Sequence, residues 1–219
     1  MGQKVNPISF RIGINQPWQS RWYADNKEFK KLLIEDINLR RVLERRFSMA
    51  GVESIEIERL PKSVKTRLRV SRPGVVIGRG GAGIEEARRY ILESLGFKNG
   101  DKKAPKIEVS VEEIKEPEVS AKLVAQRIAS DLERRLPQRR VVNKSMERVM
   151  AAGAKGIKVA LSGRIGGAEI ARHEKYQKGS MPTQSLRATI DYAHVPALLK
   201  RGYVGVKVWV HRKKENATA

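Results

Sequence analysis

Along residues 27–112 the spacing of the apolar residues switches between helical and strand period, and the order of those switches leaves few folds open. From Lys27 to Met49, Phe29, Leu32, Leu33, Ile37, Val42, Leu43 and Phe47 roughly keep helical spacing, with room for a kink near Asn38, and Gly51 stops the helix. Ser54–Leu60 alternates through Ile55 and Ile57, and Pro61-Lys62 makes a turn. Ser63–Val70 then alternates with Val64, Leu68 and Val70 on one face and Lys65, Arg67 and Arg69 on the other. Arg72-Pro73-Gly74-Val75-Val76-Ile77 leads into the glycine cluster Gly78–Gly83. A helix from about Gly81 to Leu95 turns Ile84, Ala87, Ile91 and Leu95 inward, and Gly96 ends it. Beyond a polar loop at Lys98–Pro105, Lys106–Val111 alternates as a strand. Helix, strand, strand, glycine loop, helix, strand describes one α+β module.

A second module follows the linker Glu112–Pro117. One helix, with Pro117 in its first turn, packs Val124, Ile128, Leu132 and Leu136 inward and ends at Pro137. Another runs to Ala152 with Val142, Met146 and Val149 inward. The rest is β-rich: Gly156–Leu161 and Val204–Val210 alternate well, Leu186–Tyr192 moderately. Residues 1–26 keep no period and carry Trp18 and Trp22, so the chain opens on an extended arm expected to take order only against a partner. The expected layout is an arm at 1–16, a first domain at 17–113 and a second α+β domain at 114–219.

Charge narrows the partners. Forty-five Lys and Arg against 24 Asp and Glu give a formal net charge of +21, which calls for a polyanion. No apolar run approaches the length of a bilayer span, and the amino terminus lacks both an apolar signal core and a myristoylation pattern, so no membrane partner is expected. The absence of cysteine suits a reducing cytoplasm.

Gly78-Arg79-Gly80-Gly81 fits the GXXG loop with which KH domains clamp four nucleotides. Glycine allows close backbone approach, the helix opening at Gly81 aims free N–H groups at a phosphate, and Arg79 adds charge. Val75, Val76, Ile77 and Ile84 are read as the floor of a groove for bases. An ordinary turn and a dinucleotide fingerprint, Gly78-X-Gly80-X-X-Gly83, are the competing assignments. The latter needs a strand running into the first glycine, and Pro73-Gly74 breaks it.

Arg127, Arg134, Arg135, Arg139, Arg140, Lys144 and Arg148 crowd the two helices of the second module, with only Asp131, Glu133 and Glu147 against them. Arg140, Lys144 and Arg148 recur every four residues as one stripe, read as a nucleic-acid contact against the alternative of a solvated face. Further on, Gly163-Arg164-Ile165-Gly166-Gly167 and Arg172–Lys178 read as basic loops suited to an irregular RNA surface, or equally as a hairpin with a polar loop. His173, His194 and His211 lack metal-ligand spacing, and no nucleophile motif appears, so neither metal, cofactor nor catalysis is expected.

Four strings, in order, resemble one family: Met1-Gly2-Gln3-Lys4-Val5 with Pro7, Arg11 and Gly13; Arg72 through Gly78; Gly153 through Val159; and Ser162 through Arg172. The chain is similar to the bacterial-type ribosomal protein three of the small subunit. The resemblance implies a type II KH domain followed by an α+β domain with two helices and a small, mostly antiparallel sheet. It implies a structural place in the subunit head, on small-subunit rRNA beside head proteins ten and fourteen, in a cytoplasmic or organellar ribosome. Arg134, Arg135, Arg139 and Arg140 match the family's two arginine pairs, which line the channel by which mRNA enters. The family's following lysine position is Asn143 here, with the charge one step on at Lys144. Candidate rRNA contacts are Lys4, Arg11, Arg164, Arg172, Lys175 and Lys178. A free KH regulator or RNA chaperone is the alternative.

Overall fold

The computed structural model describes residues 4–97 and 105–213. The first three residues of the amino-terminal string and most of the loop expected at Lys98–Pro105 lie outside the described residues. The chain forms two compact units, Trp18–Lys115 and a second made of the residues up to Pro17 with those from Glu116 on. The first is inserted, in sequence, into the second, which we call the split unit.

In the inserted unit, strand β1 (Ser20–Arg21) precedes helix α1 (Asn26–Arg46), which runs unbroken through Asn38. Strands β2 (Val52–Leu60) and β3 (Ser63–Val70) form the hairpin around Pro61-Lys62; helix α2 (Pro73–Ile77), helix α3 (Ala82–Ser94) and strand β4 (Lys106–Glu113) follow. The sheet order is β1-β2-β3-β4, with β2 and β3 antiparallel and the two outer pairings parallel. One face of the sheet carries Ile55, Ile57, Val64, Leu68 and Val70, buried with Leu39, Leu43, Val76, Ala87 and Ile91 of the helices. Each such Leu or Ile contributes about 1.5–3 kcal/mol by leaving water. Two elements, β1 and α2, have no counterpart in the periodicity of the sequence. Pro73 starts α2, as proline does at a first helical position, and α2 stops after five residues at Gly78.

Trp22, expected to dock elsewhere as part of an arm, is tied to its own unit. Its Nε1 donates to Asp36 Oδ2 at 2.8 Å, and its ring lies 5.4 Å from that of Phe29. Asp36 is buried, and also accepts from Ser20 Oγ (3.1 Å) and Arg59 Nε (2.8 Å). A buried carboxylate needs such partners, so this network fixes β1 and β2 to α1.

In the split unit, helix α4 spans Ala121–Glu133 and α5 Gln138–Ala151, packed on a wholly antiparallel sheet of β5 (Gly156–Gly163), β6 (Arg172–Gly179), β7 (Ile190–Leu199) and β8 (Gly202–His211) in the order β6-β5-β8-β7. Val124, Ile128 and Leu132 of α4 and Val142, Met146 and Val149 of α5 meet Ile157, Val159, Leu161, Val206, Val208 and Val210 in one core. Asp191 of β7 anchors the start of α4, its Oδ2 accepting from Ala121 N–H at 2.9 Å, where a carboxylate also meets the helix dipole favourably. Three expectations are corrected. Leu136 lies beyond α4 and is exposed, because the helix ends before it. The strand expected to start at Leu186 starts at Ile190. Arg172–Lys178 is not a loop but the edge strand β6, which is polar on both faces and pairs on one side only.

The arm, too, differs from expectation. Arg11 is wholly enclosed, and its guanidinium donates to four carbonyls: Pro7 (3.0 Å), Thr183 (3.0 Å), Ser185 (2.8 Å) and Ala188 (2.8 Å). Gln16 adds a bond to the Ile190 carbonyl. The arm takes its order from the chain's own 183–190 segment.

Candidate nucleic-acid interface

The glycine cluster is built as a turn between two helices. Gly78, Gly80 and Gly81 all have positive φ (69°, 62° and 83°), a conformation that other residues adopt only with strain. Gly83 serves a different purpose: a Cβ there would lie 2.2 Å from the Val76 carbonyl oxygen, so glycine lets α3 close against α2. The loop Gly78–Gly81 thus stands out from a tightly joined helix pair, with Arg79 exposed at its tip. Val75 and Ile77 beside it are exposed and available to bases, whereas Val76 points into the core.

The outer face of the same sheet is unlike a phosphate-binding surface. Its depression of about 350 Å³ is lined by Glu56, Glu58, Lys65, Arg67 and Glu108 among others. Arg67 pairs with Glu56 (3.3 Å) and Glu112 (3.0 Å), Arg69 with Glu112 (3.3 Å), and Lys106 with Glu108 (3.0 Å). Cations already matched by carboxylates have little left for a polyanion.

The corner between α4 and α5 has the opposite character. Arg134, Arg135, Arg139, Arg140 and Lys144 are all exposed there. Two carboxylates of α4 are engaged elsewhere: Glu133 Oε1 accepts from Leu198 N–H (3.2 Å), and Asp131 acts on Arg127. Arg127 itself is held by Glu118, an ion pair that raises the pKa of one partner and lowers that of the other. Among the described residues, Arg134, Arg135, Arg140 and Lys144 form no ion pair. Arg139 differs, reaching the Tyr176 hydroxyl, which donates to Glu174 Oε2 at 2.6 Å. Burial first, then Glu174, raises the pKa of Tyr176. Arg135 has a φ of 62°, the one positive φ of a non-glycine residue among the described residues, so the turn that projects this corner is strained.

The remaining candidates disperse. Arg164 is half-buried and donates from Nε to the Ala168 carbonyl (2.9 Å). On β6, Arg172 and Lys178 share the face of Tyr176, while Lys175 points to the other side of the sheet. Lys4 and Lys175 both approach Lys158, whose pKa is lowered by desolvation and then by these two charges. Lys158 escaped the sequence reasoning because its neighbours come from three distant segments. Arg11 is corrected: enclosed and committed to four carbonyls, it presents nothing to RNA. Among the described residues no cluster of His, Asp or Glu could hold a metal, and no helix is long and apolar enough to cross a membrane.

Two family models match separate stretches of the chain. The family model for the KH domain matches residues 38–119, and that for ribosomal protein S3, C-terminal domain, matches residues 128–210. The small ribosomal subunit protein uS3 of Persephonella marina is 45% identical across 97% of this chain and 90% of its own length. Its counterpart in Caldicellulosiruptor saccharolyticus is 44% identical across 97% and 92%. That of Methylacidiphilum infernorum is 44% identical across 100% and 99%.

Proposed function

The chain belongs to the family of small ribosomal subunit protein uS3, and from that premise we propose that it is a structural component of the small-subunit head that binds rRNA and passes mRNA across its α4–α5 corner. The observation that carries the mRNA assignment is the set Arg134, Arg135, Arg140 and Lys144, exposed and without carboxylate partners among the described residues. Such a set holds phosphates of any sequence, as a track open to every message must. The charge of +21 favours a chain that is neutralised within a ribonucleoprotein over a free regulator. We place head proteins ten and fourteen beside it by the family resemblance, and the ribosome it serves in the cytoplasm. Its contribution is binding and positioning, without a catalytic step of its own.

Sedimentation tests the placement: the chain is expected to travel with small subunits through a sucrose gradient, and recovery at the top only would sink the assignment. For the track, ribosomes carrying Arg134→Ala, Arg135→Ala and Arg140→Ala together are expected to slow on messages with a stable hairpin more than on unstructured ones. Equal slowing on both would indicate an assembly defect, and equal speed would leave the corner as a solvated face.

A further inference from the structure

The outer face of the split unit's sheet, turned away from α4 and α5, is charged in one sign only. Strand register sets Lys175, Ala160, Lys207 and His194 in one row across all four strands. Lys158, Trp209 and Tyr192 stand together in the next row. No carboxylate shares this face: Glu174 and Asp191, the only acidic residues in these four strands, both point to the helix side. Where the inserted unit's open sheet face matches each cation with a carboxylate, this one leaves its cations unmatched.

The face also carries rings. Ala160 is buried between its charged neighbours, and Gly205 leaves room for the His194 imidazole, whose Nε2 would lie 3.3 Å from a Cβ placed there. Tyr192 and Trp209, each partly exposed, sit with ring centroids 5.2 Å apart and planes tilted by 41°. Lys158 Nζ lies 5.6 Å from the Trp209 ring centroid. Lys4 and Lys175 crowd Lys158 with like charge, a repulsion that a bound anion relieves. Lysines beside half-open rings are the pairing that single-stranded nucleic acid uses, phosphates on the cations and bases on the rings. Paired bases are stacked within their helix and cannot reach such rings.

We propose that this sheet face is a second RNA surface, which holds an unpaired segment of RNA with Lys175 and Lys207 on its phosphates and the Trp209–Tyr192 pair against its bases. The proposal rests on the chain being an RNA-binding ribosomal component, and its residues are distinct from those of the α4–α5 corner and the glycine loop.

The chain has no cysteine, so one introduced thiol labels one position in the full-length protein. A dye on Gln177→Cys, an exposed position of this face, reports on the sheet, and a dye on Asn143→Cys reports on the corner. Short oligouridylate and an RNA duplex of equal length are the probes. Oligouridylate is expected to change the emission at 177, with duplex weaker by at least about tenfold, and with the affinity kept when Arg134, Arg135 and Arg140 are all alanine. In the chain with its corner arginines intact, Lys175→Glu with Lys207→Glu is expected to cost at least about tenfold at 177 while the 143 signal persists, which also shows that the unit remains folded. Silence at 177 while 143 responds overturns this proposal and leaves the corner standing. Silence at 143 alone sinks the mRNA track instead. Duplex matching oligouridylate at 177, or silence at both positions, also overturns the proposal.

Discussion

Two arginines sit in conformations or surroundings that cost free energy, for opposite reasons. Arg11 is enclosed, and its charge is tolerable because four carbonyls accept from it. Bonds to a charged donor are worth about 1.5–3 kcal/mol each, and an alanine there also leaves the carbonyls of Thr183, Ser185 and Ala188 short of a donor. Arg11→Ala is therefore expected to lower the stability of the split unit by roughly 3 kcal/mol, read from its denaturation midpoint, while the inserted unit unfolds as before. Arg11→Lys is expected to rescue little, since an ammonium cannot span four acceptors in fork geometry. Arg135 is the reverse case, exposed but held at φ 62°. Glycine adopts that conformation without strain, so Arg135→Gly is expected to stabilise the unit by up to about 1 kcal/mol while weakening RNA binding. A loss of stability in that variant would show that the side chain supports the turn, against the assignment to binding.

For whole elements, the glycine loop separates into parts with different tolerances. Gly83→Ala drives a methyl group against the Val76 carbonyl and is expected to cost about 1–3 kcal/mol by prising α2 from α3. Arg79 and Gly80 face open space, and aspartate accepts the positive φ at Gly80 better than most residues. The pair Arg79→Asp with Gly80→Asp is expected to leave the fold intact and cut RNA affinity of the inserted unit about tenfold, roughly 1.4 kcal/mol. Unchanged affinity in the folded variant would make this loop scaffold only. Elements with strong periods were legible in the sequence: β3, β5 and β8 carry apolar residues at strand spacing, while α1 was legible from a looser helical spacing. Elements held by their neighbours were not. The two residues of β1 are held where Trp22 and Ser20 reach Asp36, and β6 is a strand because β5 offers it an edge, its own sequence being polar almost throughout. The corner arginines were readable as a local cluster, but the members of the Lys4–Lys158–Lys175 group lie as many as 171 positions apart and no local pattern announces it.

Across the whole molecule, a charge of +21 makes binding depend on salt. Each corner cation withdrawn from a phosphate is expected to flatten the plot of log affinity against log salt by roughly 0.7 on single-stranded RNA, with the same change for different sequences. A weakening confined to some sequences would indicate that the corner also touches bases. The split unit is joined across its insertion by hydrogen bonds between Arg11 and Thr183, Ser185 and Ala188, as many as 177 positions apart. During synthesis, residues 18–115 are complete long before Ala188 is made, and at about 5–20 residues per second the arm waits on the order of ten to thirty seconds for its acceptors. The inserted unit thus has time to fold while Arg11 is still solvated. Nascent chains halted before Thr183 should lose the arm to protease and keep residues 18–115 intact. An arm already protected at that length would mean that it is held by something other than its final acceptors. The order of the chain makes closure of the split unit wait until residue 188 has been made, a checkpoint that no shorter nascent chain passes.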